Sequence, residues 1–264
     1  MTRTKSWFAL RRASVEVSEE DGVRSLHLGG DAIQSSIRID RPDELALDYT
    51  RAMMAFLLFR PSPRDVLMIG LGGGSMARYI HQRMPGTRTT VVEINAKVVA
   101  AARSLFHFPA DDARLKVEIA CGAGYLGHQS GAADVLLVDG FDDGRQPAVL
   151  CTQAFYDAAY AVLRPGGVMA VNFMAEEKKL DAYMQRIEKS FDGCVANLTA
   201  ADRVNIIAFA FKRHPRQLAW AELKQRARQL KKAHDLPLEE FVAGLKEMNP
   251  HTQAVLRLRS ASAE

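Results

Sequence analysis

From residue 65 onward, short apolar runs alternate with stretches whose apolar residues return every three or four positions. The runs at 66–70, 89–94, 115–120, 133–139 and 168–173 predict strands. The stretches that follow Ser75 and those at 95–106, 152–163 and 176–191 predict helices between them. Unbroken apolar runs mark strands covered on both faces, and the strand–helix repeat makes the sheet parallel. Two further strands, 194–198 and 205–211, are separated only by Thr199-Ala200-Ala201-Asp202-Arg203. That link is too short for a crossover, so the sheet closes with an antiparallel hairpin. A dinucleotide-binding sheet would instead continue with more parallel units. The pattern therefore predicts an α/β protein with a Rossmann-like, mostly parallel sheet; taken with the glycine turn at 70–74, Glu93 and Arg164-Pro165-Gly166-Gly167, the terminal hairpin favours the S-adenosylmethionine-dependent transferase type over a dehydrogenase.

Ahead of this region, 15–39 alternates apolar and polar residues, with turn signals at Asp21-Gly22 and Gly29-Gly30-Asp31. It reads as a small antiparallel β unit. A helix over 43–59 follows and stops before Pro61-Ser62-Pro63. Beyond Pro215, Trp220, Leu223, Ala227 and Leu230 predict a basic helix to about His234, with Glu222 placed to pair with Arg226. Three units result: 1–60, a β unit with its connecting helix; 61–213, the nucleoside-binding sheet; and 214–264, a helical extension.

Composition narrows the function classes. The 264 residues carry a formal charge of only +4, too small an excess to point to nucleic acid. The three cysteines, Cys121, Cys151 and Cys194, and the seven histidines show no metal-ligand spacing, so no metal is expected. No apolar run approaches the roughly 20 residues of a membrane span, and the N-terminus lacks a signal-peptide core, which makes the cytoplasm the expected compartment and leaves no membrane role.

The chemistry gathers where strands end. The strand at 66–70 runs into Gly70-Leu71-Gly72-Gly73-Gly74-Ser75, a turn that lets a ligand approach the backbone before a helix begins. The next strand ends in Glu93, about 20 positions on, where a carboxylate can take both hydroxyls of an adenosine ribose. Asp139 ends the fourth strand and would face the same crevice, able to orient an incoming amine and accept its proton; Asp142 and Asp143 follow closely. Any of these acids could instead cap the loop or the next helix. Cys121-Gly122 follows the third strand, where the thiol is better suited to packing against a base than to nucleophilic attack.

The segment from Gly29 to about Phe211 resembles the spermidine synthases, the polyamine aminopropyltransferases. The likeness rests on Ala32-Ile33-Gln34-Ser35, Asp43-Glu44 ahead of a helix with Tyr49, Ile69-Gly70-Leu71-Gly72-Gly73-Gly74, Val92-Glu93-Ile94-Asn95, Val138-Asp139-Gly140-Phe141-Asp142, and Phe155-Tyr156. The resemblance implies decarboxylated S-adenosylmethionine as donor, a small amine as acceptor, methylthioadenosine as product, and allows a homodimer. It places Gln34, Gly70, Gly72, Gly73, Gly74, Glu93, Cys121 and Gly122 at the donor, Tyr49 and Asp142 at the acceptor, and Asp139 and Asp142 in catalysis. This sequence departs from the family at several points. Gly73 stands where the family carries an aspartate for the donor's amine, Cys121 where an aspartate meets adenine, Thr50-Arg51 where His-Glu follows the tyrosine, and Asp143 where a proline follows the second acid. Loss of the acid at Gly73 is expected to weaken discrimination between decarboxylated and intact donor, and an inward-pointing Arg51 to disfavour a dicationic acceptor. Aminopropyl transfer therefore stands beside two alternatives: methyl transfer from intact S-adenosylmethionine, and a nucleoside-binding protein without activity.

Overall fold

The computed structural model describes residues 14–30, 33–141, 145–213 and 215–258. Strands β1 (Val15–Glu20), β2 (Val23–Leu28) and β3 (Ile33–Arg38) form an antiparallel sheet in that order. The central sheet has seven strands: β4 (Asp65–Ile69), β5 (Arg88–Glu93), β6 (Leu115–Ile119), β7 (Ala133–Val138), β8 (Leu163–Met174), β9 (Val195–Thr199) and β10 (Asn205–Phe211). Their order is β6-β5-β4-β7-β8-β10-β9, with β10 antiparallel to both neighbours and the other pairs parallel. The chain thus reverses between β4 and β7, and a crevice opens there beyond the carboxyl ends of the strands.

The apolar runs are explained by burial on both sides. Val66, Met68, Val135 and Leu137 enter one core, while Leu67, Ile69, Leu136 and Val138 enter the other. Successive strand residues point to opposite faces, so a strand buried on both shows no polar alternation. Helices Gln153–Val162 and Leu180–Ser190 cover one face; Ser75–Arg83 and Ala96–Leu105 contribute to the other.

Two expected boundaries shift for physical reasons. The helix predicted over 43–59 begins only at Asp48 and tightens into a 3-10 turn over Met54–Leu58. Asp43 is held in the preceding turn by Gln82, whose Nε2 donates to it at 2.7 Å. The tail helix begins at Trp220 rather than Pro215, because Gln217–Ala219 forms strand β11 against β12 (Val255–Arg257). A second tail helix, Leu238–Met248, was not expected. Its Leu238, Phe241, Val242 and Leu245 join Trp220, Leu223 and Ala227 in the same core as Phe209 and Phe211. Arg226, expected to pair with Glu222, donates to the Leu58 carbonyl. The tail therefore completes one face of the sheet.

Candidate active site

The backbone ladder runs on past the strands and aligns their tips. Gly70 N–H donates to the Val92 carbonyl at 2.9 Å, Asp139 N–H to Ile69 at 2.9 Å, and Ala120 N–H to Glu93 at 3.0 Å. Above them lies a cleft open to solvent, closed on the other side by β3 and the Asp48–Met53 helix. Gln34, Tyr49, Gly70, Gly72, Glu93, Cys121, Gly122 and Asp139 all line it. Asp142 lies outside the described residues.

Gly70 is required by its position. Its φ of 95° is left-handed, and a Cβ there would drive into the Asp139 carbonyl. Gly73 and Gly74 are not among the lining residues. At Gly73 a Cβ would come within 2.7 Å of the buried Phe106 ring and 2.9 Å of Ser35 Oγ; at Gly74 it would meet Phe108. These two glycines make room for aromatic side chains packed behind the turn, a reason that the glycine pattern alone does not reveal. Gly73→Asp is accordingly expected to lower stability by about 1–3 kcal/mol through overpacking, read as a lower denaturation midpoint, rather than simply adding an acid to the cleft.

Glu93 is buried, and each of its oxygens is already engaged. Leu71 N–H donates to Oε2 at 2.9 Å and Asn95 N–H to Oε1 at 2.8 Å. Burial raises its carboxyl above the usual range, while these donors pull the other way. Both oxygens keep lone pairs for further donors, so the glycine turn itself locks the carboxylate in place.

Asp139 is half-buried and accepts from Asn172 Nδ2 at 2.9 Å. Burial pushes its carboxyl up to about 6, against the hydrogen bonds from Asn172 and Tyr49. The single O–H of Tyr49 lies between Asp139 and the Gln34 carbonyl, to which it donates at 3.2 Å, and its phenol is held well above the ordinary range by burial and by Asp139. It therefore stays a neutral donor at physiological pH. Thr50 also lines the cleft, whereas Arg51 does not: it pairs with Asp48 and donates to the Leu45 carbonyl at 2.8 Å. The cation that the sequence allowed to point inward is thus tied to its own helix and the segment before it.

Asn172, Asn205 and Gln146 were missed in the sequence. Asn205 Nδ2 donates to Asn172 Oδ1 at 2.9 Å, and Gln146 Nε2 to the Asn172 carbonyl at 2.6 Å. The available signal was a lone amide in the otherwise apolar run at 168–173. Ser35 and Ser75 also line the cleft and were not singled out. Among the described residues, no group of three or more His, Cys, Asp or Glu could hold a metal ion, and no helix is long and apolar enough to cross a membrane.

Residues 47–209 match the spermine/spermidine synthase domain. The chain belongs to the spermine/spermidine synthase family. It is 40% identical over 238 residues to the polyamine aminopropyltransferase of Chromobacterium violaceum, covering 90% of this chain and 91% of that protein. A probable spermidine synthase from Corynebacterium glutamicum shares the fold, with a TM-score of 0.68 at 21% identity over 90% of this chain and 92% of that one. Human methyltransferase-like protein 13, solved in complex with SAH, superposes with a TM-score of 0.65 at 27% identity, covering 73% of this chain and 94% of that one. Within the spermine/spermidine synthase family, then, this chain has the shared sheet and places Glu93 and Asp139 at the tips of β5 and β7, on either side of β4, around one cleft.

Proposed function

We propose that this protein transfers an aminopropyl group from decarboxylated S-adenosylmethionine to a small amine and releases methylthioadenosine. The observation that carries this reading is the single cleft that joins Glu93, Tyr49 and Asp139 in a chain 40% identical to a polyamine aminopropyltransferase. The same chemistry counts against a binding protein without activity.

The residues divide the work by charge. Glu93, pinned by two N–H donors, offers its remaining lone pairs to ribose hydroxyls. Cys121 and Gly122 line the cleft beyond the next strand and pack against the base. Gln34 and the Gly70–Gly72 turn flank the donor's tail. Bound donor supplies an activated carbon next to a positive sulfur. Attack by the amine forms a C–N bond as the C–S bond breaks, and the sulfur leaves with the bonding pair as a neutral thioether. Asp139 takes the proton released from nitrogen. Its pKa of about 6 keeps it mostly ionised at neutral pH and close enough to solution pH for efficient exchange. Tyr49 steadies that carboxylate, and Asp142, the next acid along, would bind the acceptor's distal end. Together the cleft's two acids supply a negative setting for cationic reactants.

A second reading, methyl transfer from intact S-adenosylmethionine, is favoured by one observation. No acid stands at Gly73 to repel the donor's carboxylate, and Phe106 with Ser35 keeps it that way. One incubation separates the two readings. With a panel of amines and both donors, methylthioadenosine is expected from the decarboxylated donor; S-adenosylhomocysteine from the intact donor, without methylthioadenosine, would reverse the assignment. Calorimetry should also show the two donors binding within about tenfold of each other, because no described residue at the turn repels either tail.

A further inference from the structure

A line of amides crosses the sheet beneath the cleft, from β10 through β8 to the tip of β7. Asn205 Nδ2 donates to Asn172 Oδ1 at 2.9 Å, and Asn172 Nδ2 donates to Asp139 Oδ1 at 2.9 Å. Both asparagines are buried, at 6% and 2% exposure, so neither amide can turn to water for a replacement partner. The second contact of Asn205 Nδ2 is Met174 Sδ at 3.5 Å, again an acceptor. The Met174 thioether can accept but not donate, so it keeps the Asn205 NH2 on this side, and that NH2 in turn draws the Asn172 oxygen towards it.

We propose that Asn205 and Asn172 are positioning residues for the proton-accepting group: Asn205 holds the Asn172 amide with its NH2 towards Asp139, which keeps Asp139 an acceptor aimed into the cleft. Asn172 has one donating and one accepting end. If it turned over, its oxygen would face Asp139 Oδ1, and the contact could survive only with a proton between them. The orientation of one amide, fixed two strands away, therefore selects the ionised form of Asp139. Gln146 holds the same residue from the other side, through the Asn172 carbonyl at 2.6 Å, so the Asn172 backbone is fixed while its side chain takes direction from Asn205. The titratable groups on the described cleft walls are Tyr49 from the helix, Glu93 and Cys121 from adjoining tips, and Asp139 itself. The Tyr49 phenol lies within interaction range of Asp139, and no lysine, arginine or histidine among the described residues lines that wall to set its ionisation instead.

The inference deepens the proposed function, since it gives Asp139 its helper, but its test does not depend on turnover. Protein labelled with carboxyl 13C-aspartate is titrated by NMR, with the Asp139 signal assigned by its loss in Asp139→Asn. Three variants are compared: Asn172→Leu, Asn205→Leu and Asn205→Asp. In Asn205→Asp an acceptor replaces the donor, so Asn172 is expected to turn over and the Asp139 midpoint to rise by about one unit or more. Asn172→Leu should raise it by about one unit, and Asn205→Leu by less. The acid limb of the rate of methylthioadenosine release should move with it, while methylthioadenosine affinity, read by calorimetry, stays within about twofold because neither amide touches the cleft. An Asp139 midpoint unmoved in the variants that fold, with only the melting temperature lowered, would overturn the proposal and leave the asparagines a structural role. If the wild type titrates as expected yet yields no methylthioadenosine with any amine, the functional reading fails while the amide line stands.

Discussion

Asp139→Asn is expected to lower kcat by roughly two to four orders of magnitude while raising the melting temperature. The first effect follows from losing the proton acceptor. The asparagine oxygen can still accept from Asn172, so the geometry at the tip of β7 survives, but an amide does not take a proton from the attacking amine. Donor affinity should change little, because Glu93 and the glycine turn are untouched, so the loss appears in kcat rather than in donor KM. The second effect follows from the sign of the pKa shift. Burial raises the Asp139 carboxyl from 3.8 to about 6. Between those values the folded state binds a proton that the unfolded chain does not, so stability falls as pH rises through this window. Above about pH 6 the penalty is constant, and the amide removes it. For a half-buried group at the rim of an open cleft, on the order of 1 kcal/mol is recovered at neutral pH, a shift of about 2–4 °C. Wild type and variant should converge in stability below about pH 4. In the wild type, the acid limb of the rate should have its midpoint near 6 and be absent from the residual rate of the variant. A variant with unchanged kcat would remove Asp139 from the chemistry.

The coexistence of a costly carboxylate and a conventional core bears on how much the sequence disclosed. The sheet was legible because strands buried on both faces leave a signature that few other arrangements produce: Val66 to Ile69 and Val135 to Val138 feed alternate residues into two cores, and nothing polar interrupts them. Residues at the strand tips were legible for a related reason. Glu93 and Asp139 are acids at the ends of apolar runs, where neither packing nor solubility calls for one. What supports them was harder to see. Asn172 and Asn205 are 33 positions apart in sequence and meet only because β10 returns antiparallel to β8. The pairing of Leu218 with Leu256 likewise needs the ends of the tail to meet, a contact with no local signal. Helix Leu238–Met248 is a different case, because its four apolar residues at helical spacing and its acids Glu239 and Glu240 in the first turn were present to be read. Gly73 shows the limit of motif reading. As a substitution it suggests a missing charge; in the structure its hydrogen makes room for Phe106.

Asp134→Ala is expected to cost about 3 kcal/mol in folding stability, with little effect on the chemistry if assayed well below the new melting temperature. Asp134 opens β7 near the end opposite the cleft and is 1% exposed. Its Oδ2 accepts from the N–H groups of Arg64 at 2.8 Å and Asp65 at 3.1 Å, and its Oδ1 from Arg60 at 2.8 Å, while Arg164 lies 3.4 Å away. Arg164 also reaches Asp65 at 2.8 Å, and Asp65 in turn pairs with Arg88 at 2.7 Å. The carboxylate thus fastens the entry to β4 to the starts of β7 and β8. On its removal the arginines, each about one-third exposed, can turn to water; the two backbone N–H groups cannot as readily, and their desolvation makes up much of the cost. Burial alone would raise the Asp134 carboxyl, but the donated N–H bonds and the two guanidinium charges outweigh it and hold it below its usual value. A depressed folded pKa contributes stability that is present above the unfolded value and lost as pH falls through the folded one. Urea denaturation should therefore separate wild type and variant by the full amount at pH 7 and by progressively less below about pH 4. Asp134→Asn, which keeps one acceptor and loses the charge, should fall between them. Equal midpoints for all three proteins at pH 7 would show that the strand starts are held by packing alone.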